Sequence, residues 1–196
     1  MRIYIKFFFI GLMVFIAYTA NGQNCKNEKS KKNKNIVKMN KKSIRNELEK
    51  QYAKSITATM NKDSLLACSL IHPESKVYAA NGEIWDANKL CEYIKLSFIQ
   101  VQKTIKVSFD LDTIQVHGDT AAVLIHQYWN RSQMKAGKIR DIETIADQWE
   151  TWVKKDGVYL HYKVDRVVPK IWKVDGKRVD PSKRYDPNAP EFNPDS

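Results

Sequence analysis

Long runs of period-two alternation between residues 118 and 165 constrain the fold of this chain more than any other feature. The segments GDTAAVLIHQYWNRS, IRDIETIADQWETWVKKDG and VYLHYKVD follow one another with short turns between them, which predicts three consecutive antiparallel strands. The turn Asp156-Gly157 is typical of a hairpin, because both of its positions adopt positive φ. The first segment starts apolar on both faces, so we expect a central strand that is covered on both sides. Together the segments predict the body of a strongly bent sheet.

A further strand is predicted before this body, and a small hairpin after it. From residue 105 to 116, apolar side chains alternate with polar ones, and the alternation shifts between Leu111 and Ile114, which predicts a β-bulge. We expect Pro169 to end regular pairing of the last long strand, because proline cannot donate a ladder hydrogen bond. Asp175-Gly176 predicts a short extra hairpin.

The segment before residue 103 carries helical patterns. Ser43 is predicted to begin a first helix, and Asp63 and Asp86 are typical N-cap residues of a short second helix and of a third helix over residues 87–102. Between these last two helices, Asn81-Gly82 predicts a hairpin. The apolar stripe of the first helix consists of Ile44, Leu48, Tyr52, Ser55 or Ile56, and Met60.

The two ends of the chain differ in composition from the region between them. Residues 1–6 are basic, the apolar run FFFIGLMVFIAY follows, and Ala20 and Gly22 are small, which is the pattern of a secretory signal peptide. An uncleaved membrane anchor is the alternative, although the apolar run is shorter than the roughly 20 residues that a spanning helix needs. We therefore divide the chain into a signal peptide (1–22), a basic flexible tether (23–42), a folded domain (43–180) and a disordered tail (181–196). An exported protein, periplasmic or extracellular, is expected.

The net charge of +11 is concentrated near the N-terminus. Residues 23–42 contain eight lysines and one glutamate and contribute +7, and residues 1–22 contribute +2. The remaining +2 belongs to residues 43–196, so the folded part is nearly neutral and we expect no nucleic-acid partner. The tether can contact an anionic surface weakly by charge, or it can be a solvated spacer.

The spacing of the three cysteines matches no metal-binding motif, so we expect no metal site. Cys25 follows Asn24 where a bacterial lipobox has a small residue, so lipidation stays open as a minority alternative. Cys68 and Cys91 fall in predicted helices, and the sequence leaves open whether they form a disulfide or stay free thiols.

Two motifs and the order of the elements carry a resemblance to a known superfamily. The motifs are GDTA at residues 118–121 and WVKKDGVY at residues 152–159, and the hairpin and helix over residues 81–102 match as well. On these residues the chain resembles the nuclear transport factor 2-like superfamily, which includes SnoaL-like polyketide cyclases, ketosteroid isomerases and scytalone dehydratase. The resemblance covers residues 43–168. It implies an α+β, cone-shaped fold, also described as a cystatin-like roll, in which a curved antiparallel sheet wraps around helices and leaves a pocket at its wide end.

The resemblance of the GDTA motif implies that Ala121 faces inward, and strand alternation then places Gln127 and Trp129 on the same face. On the following strand we expect a second inward set, which consists of Glu143, Asp147 and Trp149. A buried acid can have a raised pKa and move a proton, so Asp147 with His161 on the adjacent strand is the candidate acid–base pair. A structural hydrogen bond at the sheet edge is the alternative for this pair.

The chain is rich in aromatic residues, which suit a pocket for a flat apolar molecule. For each ring, plain core packing or a dimer face is the alternative. We expect neither a cofactor nor a metal, since nucleophile motifs, phosphate loops and nucleotide fingerprints are absent from the sequence. The candidate ligand-binding residues are Tyr52, Tyr78, Trp85, Gln127, Trp129 and Trp149.

Three functions remain compatible with the sequence. The first is a domain that binds a small apolar or aromatic molecule and forms a homodimer through the outer face of its sheet. The second is a cofactor-independent isomerase, cyclase or dehydratase that uses Asp147 and His161. The third is a surface-interaction module whose basic tether binds an anionic polymer or membrane.

Overall fold

The computed structural model describes residues 34–78, 83–135 and 137–180, and their side chains from residue 41 onward except that of Tyr78. The predicted signal peptide, most of the tether and the predicted tail lie outside the described residues. In chain order the elements are α1 (Lys34–Asn61), α2 (Ser64–Ser69), β1 (Val77–Tyr78), β2 (Ile84–Trp85), α3 (Ala87–Gln100), β3 (Val101–His117), β4 (Thr120–Lys135), β5 (Lys138–Lys155), β6 (Val158–Val174) and β7 (Lys177–Arg178). Among the described helices, none has both the length and the apolar character that a membrane crossing requires.

Five strands form one antiparallel sheet in the order β3-β4-β5-β6-β7. Along β4 every second side chain is buried, so one face packs against the core and the expected cover on both sides is wrong. The turn residues Asp156 and Gly157 have φ angles of 51° and 83°, and Asp175 and Gly176 have 51° and 79°, so both predicted Asp-Gly hairpins are confirmed. The curved sheet with its helices confirms the predicted α+β cone.

Helix α1 packs against the concave face of the sheet and forms the main core with it. Leu48 and Tyr52 of α1 lie against Val123 and Ile125 of β4, and all four are buried. Burial of each such side chain contributes roughly 1.5–3 kcal/mol to folding. Ile44, Leu48 and Tyr52 of the predicted stripe therefore hold the helix inside the curve of the sheet, whereas the predicted member Met60 is exposed.

A second, smaller apolar cluster joins α2, β1 and α3 at the open end of the sheet. Val77, Leu90 and Ile94 are its buried members. The side chains of Asp63 and Asp86 accept hydrogen bonds from Leu66 N and Lys89 N at 2.9 and 2.8 Å, so both predicted N-caps are confirmed. β1 and β2 pair as an antiparallel hairpin whose predicted Asn81-Gly82 turn lies outside the described residues.

The segment after α2 covers the edge of β6 beside His161. The backbone N–H of His161 donates to Leu70 O and its carbonyl accepts from His72 N, both at 2.8 Å. Ser75 Oγ adds a hydrogen bond of 2.6 Å to Tyr162 O. These bonds satisfy an otherwise open strand edge and fix the backbone from which the His161 side chain projects.

Two predicted boundaries are wrong. Helix α1 begins at Lys34, not at Ser43, so residues 34–42 of the predicted tether are helical. A helix that is anchored by packing extends easily, because elongation costs far less than nucleation, and lysine is a good helix former.

Strand β6 continues past Pro169, which pairs with Ala146 directly after a register shift at Ile145. Proline is tolerated at this irregularity, where no regular ladder hydrogen bond is needed. The bulge predicted in β3 is confirmed between Leu111 and Thr113.

Candidate functional site

A cavity of about 160 Å³ lies between the concave face of the sheet, α1 and α3. Its wall is mostly apolar and rich in aromatic rings, which interlock by edge contacts such as that of Phe109 with Trp129 at 5.7 Å between ring centroids. The rings that line it are Tyr52, Trp85, Tyr93, Phe98, Phe109, Trp129 and Trp152. An enclosed apolar space with a few polar groups is the usual form of a small-molecule site.

One buried carboxylate, that of Glu150, borders the cavity. Its side chain is only 7% exposed. The hydroxyl of Tyr52 donates to Glu150 Oε2 at 2.6 Å, Trp152 Nε1 donates to the same oxygen at 3.0 Å, and Gln148 Nε2 donates to Oε1. These donors offset the cost of burying the charge. Burial and the negative charge of Glu150 together raise the pKa of Tyr52 well above its ordinary value, so the phenol stays protonated.

His161 is the second titratable group beside this carboxylate. Its Nε2 lies 4.0 Å from Glu150 Oε2, beyond hydrogen-bond distance but close enough for an ionic interaction when the ring is protonated. The imidazole also packs edge-on against Trp152, with 5.3 Å between ring centroids. The buried Glu150 and the partly buried His161 are therefore an acid–base pair that lines the cavity.

A chain of polar side chains continues from Glu150 along the inner face. Gln127 Nε2 donates to Gln148 Oε1 at 2.8 Å, and Trp129 Nε1 donates to Gln127 Oε1 at 2.9 Å. Each amide therefore has its carbonyl and its amino group engaged, which orients both side chains and leaves the two glutamines little rotational freedom. The cavity wall on this side is consequently preorganised.

Arg131 forms the far end of this inner row. Its side chain is 8% exposed, its Nε donates to Gln133 Oε1 at 2.9 Å, and its guanidinium lies 5.9 Å from the centroid of the Trp129 ring. Burial lowers the pKa of Arg131 to about 10, although the nearby Tyr93 phenol acts in the opposite direction. The residue remains a cation at neutral pH, and it lines the cavity.

The predicted placement of Glu143, Asp147 and Trp149 on the inner face is wrong. Lys135 pairs with Lys138 across the turn, so odd-numbered residues of β4 lie opposite even-numbered residues of β5 along the whole ladder. Residues that lie directly opposite share a face, which puts these three side chains on the outer face of the sheet. The inner face of β5 instead carries Ile142, Thr144, Ala146, Gln148 and Glu150.

Asp147 and His161 are consequently not neighbours. Asp147 lies opposite Val168, and its carboxylate contacts His126 Nδ1 at 2.6 Å and Lys170 Nζ at 2.7 Å on the outer face. Partial desolvation acts to raise the pKa of Asp147, but the hydrogen bonds to Lys170 and His126 outweigh it and hold the pKa below its ordinary value. The raised pKa expected of an inward acid is therefore absent at Asp147.

Among the predicted site residues, five line the cavity: Tyr52, Trp85, Gln127, Trp129 and His161. Tyr78 lies in β1, and its side chain is outside the described residues. Sequence reasoning missed Gln148, Glu150 and Arg131. For Gln148 and Glu150 the signal is the parity of the β4–β5 turn, which assigns the even-numbered residues of β5 to the inner face. For Arg131 the signal is the alternation along β4 that starts at Ala121. In the described ranges, histidine, cysteine and carboxylate side chains form no group of three or more that could hold a metal ion.

Comparison with known proteins shows the fold and leaves the chemistry open. No family model and no curated protein matches the chain. Among solved structures, it is similar to a putative scytalone dehydratase from Novosphingobium aromaticivorans, with 14% identity over 71% of this chain and 88% of that one and a TM-score of 0.55. A type 2 hexachlorocyclohexane dehydrochlorinase, LinA, matches with 11% identity over 70% and 92% and a TM-score of 0.53. A putative dehydratase of the NTF2-like family from Streptomyces avermitilis matches with 10% identity over 64% and 95% and a TM-score of 0.50. The chain therefore has the nuclear transport factor 2-like fold, as its sequence predicted.

Proposed function

We propose that this domain binds one small, largely apolar molecule that contains an aromatic ring. The observation that carries the proposal is the ring-lined cavity of about 160 Å³. Apolar cavities of roughly 150 Å³ hold a benzene molecule, so the space suits one ring with a few substituents. Ring contacts among Tyr52, Phe109 and Trp129 keep the wall rigid before a ligand arrives, which reduces the entropy lost on binding.

The test is a titration of the purified protein with cinnamamide, a neutral molecule with one ring, followed by ligand-observed NMR. Ser97 lines the cavity from α3, and Ser97→Phe fills part of the space. Leu96 is the next residue on the same helix and is 48% exposed, so Leu96→Phe is a matched control. We expect binding in the wild type and in Leu96→Phe, and a large loss in Ser97→Phe. Equal binding by both variants contradicts the cavity as the binding place.

A second candidate function is acid–base catalysis in the same cavity. It is favoured by the 4.0 Å approach of His161 Nε2 to Glu150 Oε2, which puts two titratable groups beside any bound molecule. A carboxylate there can take a proton from an activated carbon, and the imidazole can return it or protonate a leaving group. Three of the structural neighbours are named dehydratase or dehydrochlorinase, which are names of elimination reactions.

Deuterium exchange tests this second candidate without knowledge of the natural substrate. Phenylacetone in D₂O exchanges its activated C–H protons when a base removes them, and NMR follows the loss of the proton signal. We expect the wild type to accelerate exchange, and Glu150→Gln and His161→Asn to abolish that acceleration. Exchange that survives in Glu150→Gln but disappears in Asp147→Asn contradicts this assignment and returns the role of base to Asp147.

Export of the protein is part of the same proposal. It rests on the basic start, the apolar run and the small residues within residues 1–22, as a signal peptide requires. The mass of the protein recovered from the source cells checks it. We expect an N-terminus at Gln23, and an unprocessed Met1 or a lipid mass on Cys25 contradicts that cleavage.

A further inference from the structure

Arg131 is a buried cation without a buried counter-charge. Its side chain is 92% buried, the complement of its 8% exposure, and the one hydrogen bond it makes to a described residue runs from Nε to Gln133 Oε1. None of the described carboxylates lies within ion-pair distance of its guanidinium. A guanidinium carries several N–H donors, so its terminal nitrogens have no described acceptor. A buried charge in this condition is costly unless an anion completes it.

The surroundings of Arg131 make this end of the cavity electropositive. Lys135 lies two pleats further along the same face of β4, and burial and the charge of Arg131 lower the pKa of Lys135 to about 8. The buried hydroxyl of Thr104, which pairs with Arg131 in the β3–β4 register, also lines the cavity. Lys135 lies outside the cavity lining and the Thr104 hydroxyl donates to Thr59 O at 3.3 Å, so Arg131 is the cavity-lining cation with donors for an acidic group.

The carboxylate of Glu150 is too far along the sheet to neutralise Arg131. Glu150 lies opposite Val123, eight positions before Arg131 on β4. Each position of a strand rises by about 3.3 Å, so the backbone positions of the two residues lie roughly 26 Å apart along the strand. The cavity therefore has a negative end at Glu150 and a positive end at Arg131, with aromatic rings between them.

We propose that Arg131 recognises an acidic group on the ligand, and that the molecule bound in this cavity is an aromatic carboxylate. The inference rests on the proposed function, because it names the chemical class of the same ligand. A carboxylate fits because its two oxygens accept parallel hydrogen bonds from the planar guanidinium fork. The ring of Trp129, beside the guanidinium, continues the apolar wall against which the ring of the ligand packs.

Cinnamate and cinnamamide form a probe pair of nearly identical shape that differs in charge. We expect the wild-type protein at neutral pH to bind cinnamate roughly tenfold or more tightly than cinnamamide, as a charge-assisted bidentate contact allows. Arg131→Gln should remove this preference. Arg166 is an exposed arginine on β6, so Arg166→Gln makes the same charge change outside the cavity and should keep the preference.

The outcomes separate the two proposals. Absence of binding for both probes contradicts the proposed function, whereas equal binding of the two probes by the wild type contradicts the arginine inference alone. If Arg131→Gln does not fold, the comparison of the two probes in the wild type can still contradict the arginine inference. A preference for phenyl phosphate over cinnamate contradicts the carboxylate assignment. A preference for cinnamate that persists in folded Arg131→Gln contradicts the role of Arg131.

Discussion

The hydroxyl of Tyr52 donates a hydrogen bond of 2.6 Å to the carboxylate of Glu150, although the two residues are 98 positions apart in the chain. This bond joins α1 to the concave face of the sheet at the border of the cavity. Trp152 Nε1 lies 3.0 Å from both partners and closes a three-membered cluster. The same contact therefore stabilises the core and positions the acid that the second candidate function needs.

Removal of this hydroxyl should destabilise the fold. Tyr52→Phe keeps the ring in the core but leaves Glu150 with one donor fewer in a buried place, which costs roughly 1–3 kcal/mol. Urea unfolding measures the change. Tyr128, half-buried on β4, is a suitable control, since Tyr128→Phe should alter the free energy of unfolding by less than about 0.5 kcal/mol. Equal effects of the two variants would show that the Tyr52–Glu150 bond contributes nothing specific.

The raised pKa of Tyr52 predicts a loss of stability in alkali. Burial and then the charge of Glu150 raise the folded-state pKa above the ordinary value of 10.0, so above that pH the unfolded chain releases this proton first. The contribution is fully present below pH 10 and is lost as the pH rises through the folded-state pKa. We expect the free energy of unfolding of the wild type to fall more steeply between pH 9.5 and 11 than that of Tyr52→Phe. Parallel curves would contradict the shift.

The elements could be predicted from the sequence because their signals are local. Asp63 and Asp86 cap helices through their own side chains, and the Asp-Gly pairs form hairpins because their φ angles are positive. Alternation along β4 reports burial on one face directly. Pro169 shows the limit of such signals, since a bulge at Lys170 of the same strand decides whether the proline ends the pairing.

The candidate site could be predicted only in part, because the face of a β5 side chain depends on pairing with β4. Gln127 and Trp129 were placed correctly, since they follow Ala121 on one strand. Asp147 and Glu150 exchanged faces, because a change of one position in register reverses a whole strand. Arg131 follows Gln127 and Trp129 in the alternation of β4, and the structure buries it on the inner face, where it lines the cavity.

Because Asp147 lies on the outer face, it should affect the free energy of unfolding as the pH falls but should not affect ligand binding in the cavity. Its pKa lies below the ordinary value of 3.8, so its stabilising contribution is present above that pH and is lost as the pH falls through the folded-state pKa. We expect Asp147→Asn to be less stable than the wild type at pH 6, and the difference to shrink below pH 3.8. Chemical denaturation at several pH values measures it. Cinnamamide affinity should stay unchanged, and a loss of binding would return Asp147 to the site.

The surroundings of Cys91 predict low reactivity for its thiol. Both are free in the structure and lie on α2 and α3, and burial together with a hydrogen bond to Cys68 raises the pKa of Cys91 to about 12. Since the thiolate is the nucleophile, Cys91 should react with iodoacetamide at pH 8 far more slowly in the folded protein than in urea. Peptide mass mapping of a reduced sample measures the labelled fraction at each cysteine over time. Labelling of Cys91 at the same rate in both states would contradict the raised pKa.

Protein recovered from an oxidising compartment supplies the complementary result. A mass lower by about two hydrogens would show that Cys68 and Cys91 have formed a disulfide.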